Sequence, residues 1–306
     1  MESPRGVKDP SFGELAAVLN EADLVVSVGK PIDFTLGFGA ATADRCRWIV
    51  VDAEAAQLER ATRNLGTKLV TAISGEPRAF VGALIELARQ RSTGGRDWLE
   101  RATDLLACRP PDPGPQAAKG RAITSQLLCE AVDAALERAG GERIAICDGG
   151  EFGQWAQALV RSERRLINGP SGAIGGALCY AIDARFAAPS ARIVALMGDG
   201  TVGFHFAEFE TALREHAPFV VVIGNDGRWN AEHQIQLRDY GPDRLIGCEL
   251  SGARYDLAVS GLGGHGEYVT DSSELPAALD RAFQAERVAC VNVKIDGRPA
   301  PSGSAH

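Results

Sequence analysis

The sequence predicts an α/β chain in two parts, a partial Rossmann-like unit followed by a larger domain built on a parallel sheet flanked by helices. Three observations predict it. Short apolar runs rich in Val and Ile, among them DLVVSVG at 23–29, WIVVD at 48–52 and FVVVI at 219–223, alternate with polar segments of helical length. That alternation is the signature of βαβ units and parallel strands. The stretch CRPPDPGPQAAKG at 108–120 is rich in Pro and Gly, has no apolar periodicity, and divides the chain.

With 306 residues, 45% hydrophobic and 24% charged, the chain has room for two domains and a sizeable core, and its composition is that of an ordinary globular protein. A net charge of -8 argues against a nucleic-acid backbone as partner. The seven cysteines (Cys46, Cys108, Cys129, Cys147, Cys179, Cys248, Cys290) are odd in number, scattered and never in CxxC spacing. They read as buried reduced thiols rather than as zinc ligands or disulfides. No N-terminal signal pattern and no apolar run of membrane-spanning length occur, so no membrane is expected and the expected compartment is the cytoplasm.

Taken in order, residues 1–107 begin with a polar stretch to Pro10 and a helix over 12–21. Strands are expected at 23–29, 48–52 and 68–73, and helices at 53–65 and 76–91. Three strands are fewer than a doubly wound sheet needs, so this part reads as the second half of a domain whose first half lies on another chain. The loop GKPIDFTLGFG at 29–39 lacks the GxGxxG order and reads as a structural turn ahead of a nucleotide loop. Asp52 either holds a ribose hydroxyl or caps the helix after it. After the linker at 108–120, the domain over 121–297 should run helix 123–138, strand 143–147, strand 193–197, strand 219–223, helix 255–262, a strand near 268–270, helix 273–284 and strand 289–295. His265 is expected in a turn and Trp155 in the core. The tail 298–306 should fray from residue 299.

The chain is organised around IVALMGDGTVGFHFAEFETALREHAPFVVVIGNDGRWN at 193–230. It reads as strand, tight turn, helix, parallel strand and loop, which brings two loops to one end of a sheet. A hard divalent cation bridging to a diphosphate needs such a meeting of oxygen ligands. Asp199 would supply the charge, Asn225 a neutral amide oxygen and Gly227 a carbonyl. Gly198 and Gly200 let the backbone approach phosphates, and the helix N-terminus beyond them adds N–H donors.

Around this stretch stand DGGEFGQW at 148–155 and NGPSGAIGG at 168–176, with GDGTVGFHFAEFETALR at 198–214 and IGNDGRWN at 223–230 inside it. On these motifs the whole chain resembles the C-terminal half of the thiamine-diphosphate-dependent acetolactate synthase-like enzymes, a superfamily that includes benzaldehyde lyase, 2-hydroxyacyl-CoA lyase and oxalyl-CoA decarboxylase. Residues 1–107 resemble the latter part of their central domain, and 121–297 their diphosphate-binding domain. The resemblance implies thiamine diphosphate and Mg2+ as cofactors, with Asp199, Asn225 and the Gly227 carbonyl on the metal. It puts Gly149, Gly150, Glu151, Gly200 and Thr201 near the diphosphate. Ile174 would prop the cofactor in its bent shape, and the Gly172 carbonyl would receive its aminopyrimidine amine.

Two departures limit the resemblance. Asn168 stands where the benzaldehyde lyase pattern has a histidine and Gly153 where it has a tyrosine, which argues against that activity. The family's N-terminal domain, source of the glutamate that protonates the aminopyrimidine, has no counterpart in this sequence. The resemblance therefore implies a split enzyme, a hetero-oligomer such as a heterotetramer, whose second subunit carries the N-terminal pyrimidine-binding domain, with an expression fragment or pseudogene product as the alternative. Its reaction would make or break a carbon–carbon bond next to the carbonyl of a 2-keto or 2-hydroxyacyl substrate. A 2-keto acid or oxalyl-CoA decarboxylase subunit and a non-catalytic cofactor-binding or regulatory half remain as alternatives. Ile174, Asn168, His205 and His233 are the catalytic candidates, the histidines because imidazole titrates near neutrality, with surface or core placement as their alternative. Trp229 and Gln234 either line the pocket mouth or pack.

Overall fold

A computed structural model describes residues 6–9, 12–89, 95–108, 122–168 and 172–300. The end of the helix expected to reach 91, the linker beyond residue 108 and the tail from 301 lie outside the described residues. Contacts divide the chain into two compact units, formed mainly by Arg5–Arg109 and by Pro110–Pro301.

The first unit has a three-stranded parallel sheet of β1 (Leu24–Val28), β2 (Arg47–Asp52) and β3 (Leu69–Ser74), in that order. Helices α1 (Leu15–Glu21), α2 (Ala55–Leu65), α3 (Pro77–Arg89) and α4 (Arg96–Ala107) accompany it. Its core is small: Ile32, Trp48, Val50, Ala61 and Leu65 pack together, and the Trp48 indole N–H donates to Thr42 Oγ1 at 3.1 Å. Asp52 does not cap α2, whose N-cap is Glu54, but closes the turn ahead of it, its carboxylate accepting the Glu54 N–H at 2.9 Å. The 29–39 loop satisfies itself, with Lys30 Nζ 2.6 Å from Thr35 Oγ1 and the Asp33 carboxylate accepting the Thr35 N–H. Helix α3 buries none of its side chains and leaves Val81, Leu84, Ile85 and Leu87 exposed.

The second unit is a seven-stranded, all-parallel sheet. Its members are β4 (Ile123–Thr124), β5 (Arg143–Cys147), β6 (Arg164–Ile167), β7 (Arg192–Gly198), β8 (Val220–Asn225), β9 (His265–Val269) and β10 (Ala289–Asp296). The order runs β4, β10, β8, β7, β5, β6, with β9 on the first five residues of β10 and β4 on its last two. Alternation along the strands loads both faces. Val194 and Leu196 of β7 face a core with α5 (Ser125–Ala139), α6 (Gly150–Leu159) and α12 (Leu275–Gln284). Ile193, Ala195 and Met197 face one with α7 (Ala177–Ala187), α9 (Glu208–Arg214) and α11 (Tyr255–Gly261). A strand apolar on both sides is what a sheet covered by helices on both faces requires.

Helix α5 shows how locally such elements are set. Thr124 accepts the Leu127 N–H through its hydroxyl at 3.2 Å, Leu128, Val132 and Leu136 recur on one buried face, and Gly140 at φ +65° ends it. The chain goes from β5 outward to β6, then returns past β5 to β7 and on to β8, so the order reverses between β5 and β7. In open α/β sheets ligands bind outside the carboxyl ends of the strands at such a reversal.

Several elements differ from the sequence reading. Ile123 and Thr124 belong to a strand, because they pair with Ile295 and Asp296, and the helix starts after them. The segment expected as one helix after Gly200 is broken into α8 (Asp199–Val202), a 3-10 turn and α9. Helices α4, α6 and α10 (Asn230–Tyr240) and strand β6 are additional. His265 is in β9, bonded to Glu267 at 2.9 Å, and not in a turn. Trp155 is only partly buried at the edge of the core. Nor does the chain fray at 299: the Trp155 indole N–H donates to the Pro299 carbonyl at 3.0 Å, and the Ala300 N–H donates to Glu151.

Candidate active site

Parallel pairing of β7 with β8 sets Gly198 opposite Gly224, so Asp199 and Asn225 leave the sheet side by side. Asp199 is only 2% exposed, yet its Oδ2 has no hydrogen-bond partner. The Gly200 and Gly227 N–H groups lie near its carboxylate and work against the effect of burial, and the Gly227 N–H donates to Asn225 Oδ1 at 3.3 Å. The two ligand candidates therefore converge on one backbone amide. Burial first, and the neighbouring Asp226 charge second, push the Asp199 carboxyl up to about 7. Burial likewise pushes Asp226 up to about 6, with Glu151 adding a smaller like-charge repulsion.

Such a site is short of positive charge. Its orphaned carboxylate oxygen, amide oxygen and backbone carbonyl are hard donors of the kind Mg2+ takes together with phosphate oxygens. The Gly227 carbonyl already accepts the Leu250 N–H at 2.7 Å, which leaves it one further lone pair. Among the described residues no group of three His, Cys, Asp or Glu side chains is gathered as a metal site. The donor set fits a cation that brings its remaining ligands from a diphosphate.

Across the reversal, the carboxylate of Asp148 accepts N–H groups from Gly149 at 2.7 Å, Gly175 at 2.9 Å and Ala177 at 3.1 Å. It ties the start of α7 to the end of β5. A Cβ on Gly149 would lie 2.5 Å from Ile174 Cγ2 and 2.8 Å from Asn168 Nδ2, so these three residues from three loops touch. Asn168 Oδ1 is buried without a partner. Gly153 has its own reason to be glycine: a Cβ there would stand 1.9 Å from the Asp148 carbonyl oxygen, leaving no room for tyrosine.

The other candidates are placed as follows. Gly150 (φ +81°) opens α6, and Glu151 is taken up by the Ala300 N–H. Gly172 is exposed at φ +68°. Thr201 is buried and turns its hydroxyl back to the Gly198 carbonyl at 3.1 Å. Trp229 lies against Gly200, where a Cβ would be 2.6 Å from its ring, and meets Phe204 edge-on at 5.9 Å. Gln234 donates to Asn230 Oδ1 at 3.0 Å. His205 is exposed, with Nδ1 3.0 Å from the Gly175 carbonyl. His233 is buried in α10 with Nδ1 unpartnered. No hydrogen bond among the described residues joins the two histidines. Sequence reasoning missed Asp148, Asp226 and Tyr255, whose hydroxyl donates to the Asp199 carbonyl at 2.8 Å. An Asp directly after an apolar run and directly before Gly was the available signal for Asp148, and the Asn-Asp-Gly turn two residues beyond the apolar run ending at Ile223 was that for Asp226.

Comparison with known proteins agrees with this geometry. A model of the family "Thiamine pyrophosphate enzyme, C-terminal TPP binding domain" matches residues 148–293. Acetolactate synthase large subunit IlvG of Mycobacterium tuberculosis is 34% identical over 283 residues, covering 91% of this chain and 49% of that protein. The 2-hydroxyacyl-CoA lyase 2 of Homo sapiens is 27% identical over 264 residues, 85% of this chain and 41% of its own length. The chain thus spans about half the length of the curated relatives it matches, or less. With the matched segment running from the loop after β5 into β10 and holding every loop of the site, the chain belongs to the thiamine-pyrophosphate-dependent enzymes of acetolactate synthase and 2-hydroxyacyl-CoA lyase type, through their C-terminal TPP-binding domain.

Proposed function

We propose that this chain is one subunit of a split, thiamine-diphosphate- and Mg2+-dependent enzyme that makes or cleaves a carbon–carbon bond next to a carbonyl. Its partner is a second subunit carrying the pyrimidine-binding domain and its activating glutamate. The observation that carries the reading is the buried, unpaired Asp199 oxygen beside the Asn225 amide at the carboxyl ends of adjacent strands. Thiamine diphosphate, when bound, supplies a carbanion and an electron sink, and the protein supplies orientation. Asp199, Asn225 and the Gly227 carbonyl would hold the cation, and the backbone at Gly149 and Gly150 would face the diphosphate. Ile174, backed by Gly149, would present an apolar wall to the cofactor, while Trp229 keeps water from the Gly200 side. The uncovered apolar face of α3 in the first unit supports a further polypeptide in the assembly. Cysteines kept as thiols, five of the seven buried, fit a cytoplasmic setting.

Calorimetric titration of thiamine diphosphate with Mg2+, on this chain alone and then mixed with the pyrimidine-domain subunit, tests the reading. Binding, with turnover of pyruvate or a 2-hydroxyacyl-CoA in the mixture only, is expected. Release of CO2 from oxalyl-CoA without carbon–carbon bond formation would make it a decarboxylase subunit. Binding without turnover on any of these substrates would make it a regulatory half, and no binding in either arm removes the cofactor reading.

A further inference from the structure

An amide side chain offers a cation its oxygen in one orientation and its NH2 group in the other, and the second repels. Whatever holds Asn225 the right way round is therefore part of the site. Asn225 is 5% exposed, and its Nδ2 donates to the Ala253 carbonyl and to Asn292 Oδ1, both at 3.1 Å. Asn292, fully buried in β10, is itself an amide and could present either end. Its Nδ2 donates to the same Ala253 carbonyl at 3.0 Å and to Asp256 Oδ1 at 3.2 Å. A carbonyl and a carboxylate accept only, so Asn292 must turn its NH2 toward them and its oxygen toward Asn225. Asp256 is in turn gripped by Arg254, Nε to Oδ1 at 2.9 Å and an NH2 group to Oδ2 at 2.7 Å. Arg254 is braced over the Tyr268 ring at 3.9 Å.

We propose that Arg254, Asp256 and Asn292 are positioning residues that fix the polarity of the Asn225 amide, so that its oxygen alone faces the cation. The inference rests on the cation reading above and extends it to a chain of four side chains, Asn225 at the end of β8, Asn292 within β10, Asp256 in the first turn of α11 and Arg254 just before it. The direction of every bond follows from two groups that can only accept, the Asp256 carboxylate at its inner end and the Ala253 carbonyl. Burial opposes ionisation of Asp256, but the hydrogen bonds from Arg254 and Asn292 outweigh it and hold its carboxyl below the ordinary range.

Reversing the polarity of the chain is the test. In Asp256→Asn the inner end can donate, so only the Ala253 carbonyl still draws the Asn292 NH2 group, and the directional lock on Asn225 is weakened. Neighbours that orient ligands typically change metal affinity about 10- to 100-fold. We expect Mn2+ affinity, read by electron paramagnetic resonance of the free ion in the presence of thiamine diphosphate, to fall by at least about tenfold in Asp256→Asn. Asn225→Asp alone faces acceptors with a carboxylate and should also bind weakly. In the double variant the new amide at 256 can donate to Asn292 and Asn292 to the new carboxylate at 225, which offers oxygen either way round, while the Ala253 carbonyl loses both of its donors. The double variant should bind more tightly than either single variant without reaching the wild type. Arg254→Gln is a milder variant that leaves the buried residues in place and should lose affinity severalfold without a change of fold by circular dichroism. If the wild type binds Mn2+ but Asp256→Asn and Arg254→Gln bind as tightly, or the double variant is no better than the singles, the positioning proposal is wrong. If the wild type itself does not bind, the cation reading fails, and this inference with it.

Discussion

Gly149→Ala should damage the site by sterics alone. Gly149 has φ -74°, a value alanine adopts without strain, so backbone conformation contributes nothing to the effect. The new methyl would stand 2.5 Å from Ile174 Cγ2 and 2.8 Å from the Asn168 amide, where ordinary contact begins near 3.4 Å. Ile174 must therefore retreat by roughly 1 Å, and overpacking of this kind costs about 1–3 kcal/mol. It sits between Gly172 and Gly175, both at positive φ, in a segment that Asp148 fastens only from Gly175 onward. The strain should consequently appear as displacement of Ile174 rather than as global unfolding. If it is expressed in the liganded state, cofactor affinity falls about 5- to 150-fold. Titration of Trp229 fluorescence with thiamine diphosphate and Mg2+ measures it, and urea denaturation measures stability in parallel. The double variant Gly149→Ala/Ile174→Ala removes the obstructing γ-methyl and should recover part of the affinity that Gly149→Ala loses. Unchanged affinity in Gly149→Ala would refute the argument that Ile174 and Gly149 form one wall of the cofactor site.

Other perturbations separate charge from shape. Asp199→Asn removes a buried carboxylate pushed up to about 7, so the cation-free protein at pH 8 should gain up to about 4 kcal/mol while losing its Mg2+-dependent rise in Tm. Thermal melting with and without Mg2+ checks both. The pH dependence follows with a definite sign. Asp199 at about 7 and Asp226 at about 6 hold protons in the folded chain that the unfolded chain releases near pH 4. Their contribution is present in acid and is lost as pH rises through 6 and 7, so Tm without cation should fall between pH 5 and 8 and flatten with Mg2+ and cofactor. Glu163, held by Arg143 down to about 2, acts only at lower pH and does not confuse that window. Asp148→Ala leaves three N–H groups without their acceptor and should cost about 2–3 kcal/mol in urea denaturation, with faster amide exchange at Gly175 and Ala177.

How much of this could be read from the sequence depends on what makes each element recognisable. Strands β5, β7, β8 and β10 announce themselves as apolar runs because both of their faces are covered. Strand β6, RRLI at the sheet edge, carries two arginines and gives no such signal. Helix α10 has no apolar stripe: Ile235 and Leu237 point to solvent and only Asn230 and His233 are buried. Helix α6 contains Gly153, which normally argues against a helix, yet glycine is required there by the Asp148 carbonyl. Asp199 and Asn225 were legible because the spacing of two strands puts their ends together. Asp148 resembles any turn aspartate until its three N–H partners, 1, 27 and 29 residues away, are seen. Asn292 was invisible for the same reason, since a lone polar residue in CVNVKID acquires meaning only from Asn225 and Asp256.

The pairing of one carboxylate with one amide has a physical rationale of its own. Asp199 already sits beside Asp226, and Asp226 beside Glu151, and burial raises the first two far above the ordinary carboxylate range. A second aspartate at 225 would add another buried negative charge and make protons stronger competitors of the cation near neutral pH. A neutral oxygen at 225 supplies a ligand without that repulsion. The drawback of the amide is orientational, because half of its possible settings turn a donor toward the metal. The site therefore needs a source of direction, and a source that adds no charge next to the cation. Asp256 meets both conditions: it is separated from Asn225 by Asn292, its charge is neutralised by Arg254, and only its acceptor character is passed inward.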